Sequence, residues 1–330
     1  MSHAIAHADD GVIVARGLRR VFKTRQGEVE AVAGVDLTIP RGGIFGFLGP
    51  NGAGKTTTLR MLSTLLPPTG GQATVAGADL LHQPALVRER IGYVGQAGGT
   101  DRQVSGRSEL VFQGRVYGMS KQEARLRAQE LLETVDLVEA ADRQTGTYSG
   151  GQRRRLDIAL GLVHRPQLLF LDEPTTGLDP QSRAHLWDEV RRLRETGVSV
   201  FLTTHYLDEA DVLCDDLAII DHGRIVATGT PEQLKRQVAG DVITLGVGAG
   251  VSQARALLSG QTFVREIGDD EEVEEGQIRL YVDRGEEAMP AILRMLDGAQ
   301  VGLQTISMTR PSLDDVFLRQ TGRSLRDQAA

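Results

Sequence analysis

One segment of eight residues limits the possible folds of this chain more than any other part of its sequence. Gly49-Pro50-Asn51-Gly52-Ala53-Gly54-Lys55-Thr56 fits the pattern G-x-x-x-x-G-K-[ST] at every fixed position. It follows Ile44–Leu48, an apolar run typical of a buried strand, and leads into Thr56–Leu66, which has helical character. Strand, glycine-rich loop and helix in this order indicate an α/β sheet. The loop's backbone N–H groups are then able to face inward and bind phosphate oxygens.

The end of this loop carries the groups that a nucleotide triphosphate needs. Lys55 is predicted to contact the β- and γ-phosphates, and the Thr56 hydroxyl is predicted to bind Mg²⁺. The dipole of the following helix favours negative charge at the same place. The predicted phosphate site comprises Gly49, Pro50, Asn51, Gly52, Ala53, Gly54, Lys55, Thr56 and Thr57.

Two acidic residues follow a second buried strand. Asp172 and Glu173 come directly after the apolar run Leu168–Leu171. A carboxylate at the end of a strand beside a phosphate loop is the expected second Mg²⁺ ligand, and we assign this role to Asp172. Glu173 is then placed to polarise the water that attacks the terminal phosphate. The sequence therefore predicts a site that hydrolyses a nucleotide.

Composition excludes several other classes of protein. The chain has 37 Lys and Arg against 44 Asp and Glu, a net charge of −7, so we expect no nucleic-acid partner. Its one cysteine, Cys214, cannot form an internal disulfide bond, which favours a cytosolic location. No run approaches the roughly 18 apolar residues of a membrane helix, so another chain would have to supply any membrane attachment.

Three further segments complete a recognisable set of motifs. Ser149-Gly150-Gly151-Gln152 precedes a helical run, Gln96 follows Ile91–Gly95, and His205 ends Thr203-Thr204-His205. With the phosphate loop and the Leu168–Glu173 segment, they occur in the order found in one family. From Val12 to about Lys235 the chain resembles the nucleotide-binding subunit of ATP-binding-cassette (ABC) transporters.

The resemblance implies roles for residues whose function is not evident from their type. Gln96 would contact Mg²⁺ and the attacking water, and His205 would contact the γ-phosphate and help to hold Glu173 in line. Phe22 would stack on adenine, although a core position is the alternative. The signature residues Ser149, Gly150, Gly151 and Gln152 would face the ATP of a second subunit, and Asp179 would belong to the D-loop.

The resemblance also implies an architecture and an assembly. We expect a P-loop NTPase cassette in residues 1–238, with a RecA-like sheet, an antiparallel β subdomain and a helical subdomain at about 98–160. Two copies would bind two ATP molecules between them and drive a separate membrane permease. The protein would then lie at the cytoplasmic face of the membrane, attached through that permease.

A narrower resemblance points to export. Leu171–Pro180, Thr203–Ala210, Ile219–Gly223 and the C-terminal segment Arg310–Leu318 are similar to the daunorubicin-resistance type of ATPase. Members of this group export drugs, polyketides or lipids. One alternative is an ABC ATPase outside transport, such as a translation or DNA-repair factor. Another is a binding module in which ATP only regulates the C-terminal domain.

Residues 239–330 predict a small α+β domain with the element order β-α-β-β-α-β, typical of a ferredoxin-like fold. The predicted elements are strands at 242–247, 262–267, 277–282 and 301–308, and helices at 251–258, 286–296 and 312–321. We expect a linker at about Lys235–Gly240 and a solvated hairpin loop at 269–275. Pairing with a second copy or docking to the permease would give this domain a role without catalysis.

Overall fold

The computed structural model describes residues 11–25, 27–237, 240–268, 276–309 and 311–322. The described chain divides into two compact units between Pro231 and Glu232. The predicted hairpin loop at 269–275 and Arg310 lie outside the described residues. No helix in the described ranges is both long and apolar enough to cross a membrane.

A largely parallel sheet of six strands forms the centre of the first unit. Its strands, in spatial order, are β10 (Arg224–Gly229), β9 (Asp216–Asp221), β3 (Ile44–Leu48), β8 (Ser199–Thr204), β7 (Leu168–Asp172) and β6 (Ile91–Val94). β3, β7 and β8 are buried at every residue, which explains why Ile44–Leu48, Leu168–Leu171 and Val200–Leu202 have no alternating polar residues. Because β3 and β7 both pair with β8 in parallel, the residues that follow all three strands lie at one edge of the sheet.

An antiparallel sheet lies earlier in the chain. It contains β2 (Gly27–Ile39), β1 (Ile13–Thr24), β4 (Gly70–Val75) and β5 (Ala78–Asp79) in this order. The strands β1 and β2 are much longer than the segments 12–15 and 35–39 expected from their apolar runs. Their outer halves carry many charged and exposed residues, which gave no apolar signal in the sequence.

The helices of the first unit flank the parallel sheet or form a separate cluster. They are α1 (Lys55–Leu62), α2 (Pro84–Arg90), α3 (Gly106–Val116), α4 (Lys121–Thr134), α5 (Gly150–Gly161), α6 (Pro180–Glu195) and α7 (Leu207–Leu213). α3, α4 and α5 occupy the predicted helical region and pack on each other. The α4 helix begins with a capping box in which Ser120 and Glu123 satisfy each other's backbone N–H groups.

The second unit begins with α8 (Pro231–Gln237), which extends into the segment predicted as a linker. Its remaining elements are β11 (Asp241–Gly246), α9 (Val251–Leu258), β12 (Val264–Ile267), β13 (Gln277–Val282), α10 (Gly285–Gly298), β14 (Thr305–Thr309) and α11 (Leu313–Thr321). The strands form an antiparallel sheet in the order β12-β13-β11-β14. The order of elements is the predicted β-α-β-β-α-β.

The predicted buried face of β13 is present in the structure. Ile278, Leu280 and Val282 are fully buried and belong to the core of the second unit. On α11, Leu313, Val316 and Phe317 are buried, whereas Gln320 is exposed. The structure has the predicted architecture: a unit with a parallel sheet, an antiparallel sheet and a helical cluster, followed in the chain by a small α+β unit.

Candidate functional site

The phosphate loop joins β3 to α1 and ends in a left-handed glycine. Gly54 has φ of +103° and caps α1, and a Cβ atom here would lie 2.5 Å from the Ala31 carbonyl oxygen. Lys55 is the first residue of the helix and is buried. Its Nζ donates to the carbonyl oxygens of Gly49 (2.7 Å) and Pro50 (3.0 Å), so the side chain folds back over its own loop. Burial lowers the pKa of Lys55, and Glu173 opposes this shift.

Asp172 lies at the end of β7, with one oxygen in hydrogen bonds and the other without a partner. Its Oδ1 accepts hydrogen bonds from Thr56 Oγ1 (3.0 Å) and Thr203 Oγ1 (2.8 Å). Its Oδ2 is buried and has no hydrogen-bond partner among the described atoms. A buried carboxylate oxygen without a partner is costly unless a cation or a donor compensates it. Asp172 and Thr56 therefore offer oxygen ligands of the kind that a hard divalent cation prefers. A bound cation would also compensate the buried Asp172 oxygen.

Glu173 follows with a left-handed backbone, at φ of +45°. Its N–H donates to the carbonyl oxygen (3.2 Å) and hydroxyl (3.0 Å) of Thr203, which hold it in this unusual conformation. One carboxylate oxygen lies 3.4 Å from Lys55 Nζ, and the other lies 3.4 Å from His205 Nδ1. The contact between His205 Nδ1 and this oxygen does not meet the geometry of a normal hydrogen bond. His205 and Lys55 hold the pKa of Glu173 at about 2.

This low pKa predicts how stability depends on pH. The Glu173 carboxylate stabilises the folded chain at pH values above about 4.5, its value when unfolded, and this contribution is lost as the pH falls toward about 2. We therefore expect the difference in unfolding free energy between the wild type and Glu173→Gln to shrink as the pH falls from about 4.5 toward about 2. Urea unfolding across this pH range measures it. A difference that does not shrink below about pH 4.5 would contradict the assignment.

His205 itself is held by the residues that follow it. The Tyr206 ring lies 4.1 Å from the His205 ring, and the Arg183 guanidinium covers Tyr206 at 4.3 Å. Arg183 belongs to α6, so these rings connect the histidine to that helix. Trp187, also on α6, donates to the buried carboxylate of Glu209 at 3.2 Å. This support could not be predicted from the sequence, because it depends on contacts between α6 and α7.

The signature segment Ser149–Gln152 forms the first turn of α5. Ser149 Oγ accepts from the Gln152 N–H (3.1 Å), and Gln152 Oε1 accepts from the Ser149 N–H (3.1 Å). This capping box explains why the helix begins at Gly150. A Cβ atom on Gly151 would lie 2.8 Å from Ser182 Oγ, so α5 and α6 approach closely at this glycine. Asp179 caps α6 and binds the N–H and hydroxyl of the same Ser182.

The arginine run Arg153–Arg155 on α5 is not the solvated helix face that is usual for such a run. Arg154 is only 7% exposed, and the other two are half-buried. Its guanidinium donates to the carbonyl oxygens of Gly95 (2.6 Å), Pro174 (2.8 Å) and Asp172 (3.1 Å). This role could not be predicted from the sequence, because a run of three arginines is usually solvated. Arg154 is buried because it is the member of the run that faces the ends of β6 and β7.

The structure brings together part of the predicted site. Lys55, Thr56, Asp172, Glu173 and His205 are linked by the short contacts described above. Gln96 is exposed on the loop after β6. Phe22 lies on β1, half-buried, with the Arg20 guanidinium 4.7 Å from its ring centroid. The roles of Phe22, Gln96, the signature segment and Asp179 stay predictions, since each concerns a nucleotide or a second subunit. Thr203, which binds both Asp172 and Glu173, is the main residue of the cluster that sequence reasoning missed.

Comparison with known proteins extends this picture beyond single motifs. The "ABC transporter" family profile matches residues 32–176, and the profile "ATP-binding protein DrrA1-3-like, C-terminal domain" matches residues 229–321. The daunorubicin resistance ATP-binding protein DrrA2 of Streptomyces coeruleorubidus is 46% identical over 94% of this chain and 96% of its own length. This chain belongs to the ABC transporter family. The predicted ATPase activity is confirmed at the level of the family, and nothing in the comparisons supports the alternative of an ABC ATPase outside transport.

Two other relatives show how far the likeness extends. The Nod factor export ATP-binding protein I of Sinorhizobium fredii is 38% identical over 98% of this chain and 92% of its own length. Among solved structures, CbiO1 of Clostridium perfringens, part of an ABC transporter complex, is 26% identical with a TM-score of 0.62. The match covers 70% of this chain and 95% of CbiO1. The likeness to CbiO1 is therefore confined to about two thirds of this chain, whereas the relatives above match over nearly its whole length.

Proposed function

We propose that this ABC ATPase is the motor subunit of an export system, in which two copies bind two ATP molecules between them and drive a separate membrane permease. The cluster of Lys55, Asp172, Glu173 and His205 carries the proposal, because it combines a phosphate-binding cation with a carboxylate able to act on water. The protein would then work at the cytoplasmic face of the membrane, attached through the permease.

The geometry supports a separate chemical role for each residue of the cluster. Lys55 neutralises charge on the β- and γ-phosphates, which the backbone N–H groups of its loop also bind. Glu173, kept ionised by its neighbours, accepts a hydrogen bond from the attacking water and orients it toward the γ-phosphate. His205, braced by Tyr206, contacts the γ-phosphate and keeps Glu173 in line. Gln96 contacts the water from the neighbouring loop.

Mg²⁺ is the cofactor that fits these residues. Asp172 offers a buried oxygen without a partner, and Thr56 offers a hydroxyl that is already bonded to the same carboxylate. Gln96 would be a third ligand. When bound, the ion would neutralise charge on the phosphate oxygens during transfer. Thr203 keeps the Asp172 carboxylate in place whether or not the ion is bound.

The names of the relatives support one class of exported compound. One is named for daunorubicin resistance and another for Nod factor export, and both match this chain over more than nine tenths of its length. We infer that the exported compound is a drug, a polyketide or a lipid-like molecule. Residues that contact it would lie in the permease.

A groove beside Gln96 is suited to receive the permease. It has a volume of about 710 Å³ and is lined by Leu65 and Arg88 on one side and by Phe112 and Tyr117 on the other. The side chains of Leu65, Phe112 and Tyr117 are between 44% and 64% exposed. Exposed apolar groups of this size in a groove mark an interaction surface. The permease would insert a cytoplasmic helix with an apolar side chain here.

Disrupting this groove tests the proposed function. We expect Phe112→Arg to retain ATP hydrolysis but to lose association with membranes, because a charge would enter the apolar contact. The measurement is recovery of the tagged chain in the membrane fraction of cells of the source organism. Leu126→Arg is the matched control, since Leu126 is equally exposed (66%) but does not line the groove. Equal recovery of wild type and Phe112→Arg in the membrane fraction, or of neither, would contradict the proposal.

A further inference from the structure

The loop that carries Gln96 is bound from one side by a buried arginine of α5. Arg154 donates from Nη1 to the Gly95 carbonyl oxygen (2.6 Å), directly before Gln96 in the chain. The same guanidinium donates to Asp172 and Pro174 on either side of Glu173. One side chain therefore connects the Gln96 loop to the backbone that carries the candidate metal ligand and the candidate base.

An aspartate of the same helix lies at the other end of the loop. Asp157 Oδ1 accepts a weak hydrogen bond from the Gly99 N–H at 3.4 Å. A Cβ atom on Gly98 would come within 2.9 Å of Asp157 Oδ2, so the carboxylate lies directly against the backbone. Asp157 is 8% exposed, and burial raises its pKa. Its carboxylate is thus placed to bind this loop rather than solvent.

Both residues lie on one face of α5, close to the signature segment. Positions 154 and 157 are three residues apart, a spacing that places side chains together on a helix. The helix begins at Gly150, so Arg154 is in its second turn. Gln96 lies between the two contacts and is itself exposed. A shift of α5 would thus be transmitted to both ends of the segment Gly95–Gly99.

We propose that Arg154 and Asp157 are positioning residues that clamp the segment Gly95–Gly99 to α5, so that Gln96 moves with the signature segment. This inference rests on the proposed function, in which Gln96 contacts the attacking water. Through Arg154, the groove beside Gln96 is connected by hydrogen bonds to the backbone of Asp172. The same guanidinium also donates to the Asp172 and Pro174 carbonyl oxygens, so the clamp joins the segment Gly95–Gly99 and α5 to the end of β7.

The arginine is specific to this geometry. A guanidinium has a planar fork of N–H donors and reaches three carbonyl oxygens at once, whereas the lysine ammonium is a single point of charge. Asp157→Asn retains an oxygen that accepts from Gly99, whereas Asp157→Ala does not. Arg154→Lys should therefore release the loop, whereas Asp157→Asn should keep it bound. A general loss of packing would not distinguish these two conservative variants.

Hydrogen exchange tests the clamp without relying on catalysis. We expect the Gly99 backbone amide, which donates to Asp157, to exchange about tenfold faster in Asp157→Ala, which lacks the acceptor, and also faster in Arg154→Lys, which releases the other end of the segment. Asp157→Asn should resemble wild type. Arg155→Lys is the matched control, because Arg155 lies on the same helix but donates to the carbonyls of Val135 and Asp136. Unchanged exchange of the Gly99 amide in both Asp157→Ala and Arg154→Lys would overturn the clamp.

Kinetics test whether the clamp acts through Gln96. We expect Arg154→Lys to lower kcat for ATP by about 10- to 100-fold, with KM within about twofold of wild type, since misplacement of an orienting group affects the chemical step. Adding Gln96→Ala to Arg154→Lys should then lower kcat by less than about twofold further, although it has its full effect in wild type and in Arg155→Lys. Additive losses would overturn the positioning role. Absence of ATP turnover in wild type would contradict the proposed function, while exchange would still decide the clamp.

Discussion

Glu173→Gln is expected to bind ATP with about the affinity of the wild type and to hydrolyse it at least 100-fold more slowly, the usual scale for loss of a general base. Glutamine has the same size as glutamate, but it carries no negative charge to polarise water. In the folded chain the carboxylate is held in place by its left-handed backbone, by Lys55 and by His205. Phosphate release and ATP binding, measured on the same preparation, separate the two effects.

A second buried glutamate provides the control for this experiment. Glu189 on α6 is 4% exposed, and its carboxylate lies 3.6 Å from Arg192, away from the cluster. Glu189→Gln should keep wild-type turnover, since it changes the same chemical group at similar burial. If Glu173→Gln hydrolysed ATP as fast as Glu189→Gln, Glu173 would not act on the attacking water.

The second large effect is expected for Lys55. Lys55→Ala should weaken ATP binding by at least about tenfold, because a hydrogen bond to a charged partner is worth roughly 1.5–3 kcal/mol. The residue is buried at 4% exposure beneath its loop, where few water molecules could replace the lost cation. Equilibrium binding of a fluorescent ATP analogue measures the change.

Two comparisons make the Lys55 experiment specific. Lys55→Met keeps most of the length of the side chain and removes the charge, so it should lose affinity as Lys55→Ala does. Adenosine, which has no phosphate, should have the same dissociation constant in all three proteins, as calculated from its competition with the analogue. ATP affinity that is unchanged in Lys55→Met would count against the assignment of the phosphate loop.

Much of the fold could be predicted because its signals are local. The strand Ile44–Leu48 and the helix Val251–Leu258 have the predicted bounds, since an apolar run or an apolar period fixes each of them. The order of elements in the second unit followed from the same kind of signal. Strands β1 and β2 exceed their predicted lengths because charged, exposed residues continue their ladder.

Those parts of the candidate site were predictable whose chemistry follows from residue type and position within a motif. The loop ending at Lys55 and the pair Asp172 and Glu173 are of this kind, because residue type and position after a strand determine their placement. Arg154 and Thr203 were not predictable in this way. Their roles depend on strands and helices that are distant in sequence, and only the packed structure shows which arginine of three is buried.

We expect ATP held at this site to join two copies of the chain. Sedimentation of Glu173→Gln tests it most directly, because slow hydrolysis preserves the ATP-bound state. We predict that this variant sediments as a dimer with ATP and Mg²⁺ and as a monomer with ADP and Mg²⁺, while Lys55→Ala stays monomeric with either nucleotide. A Glu173→Gln chain whose mass is the same with ATP and with ADP would contradict the account.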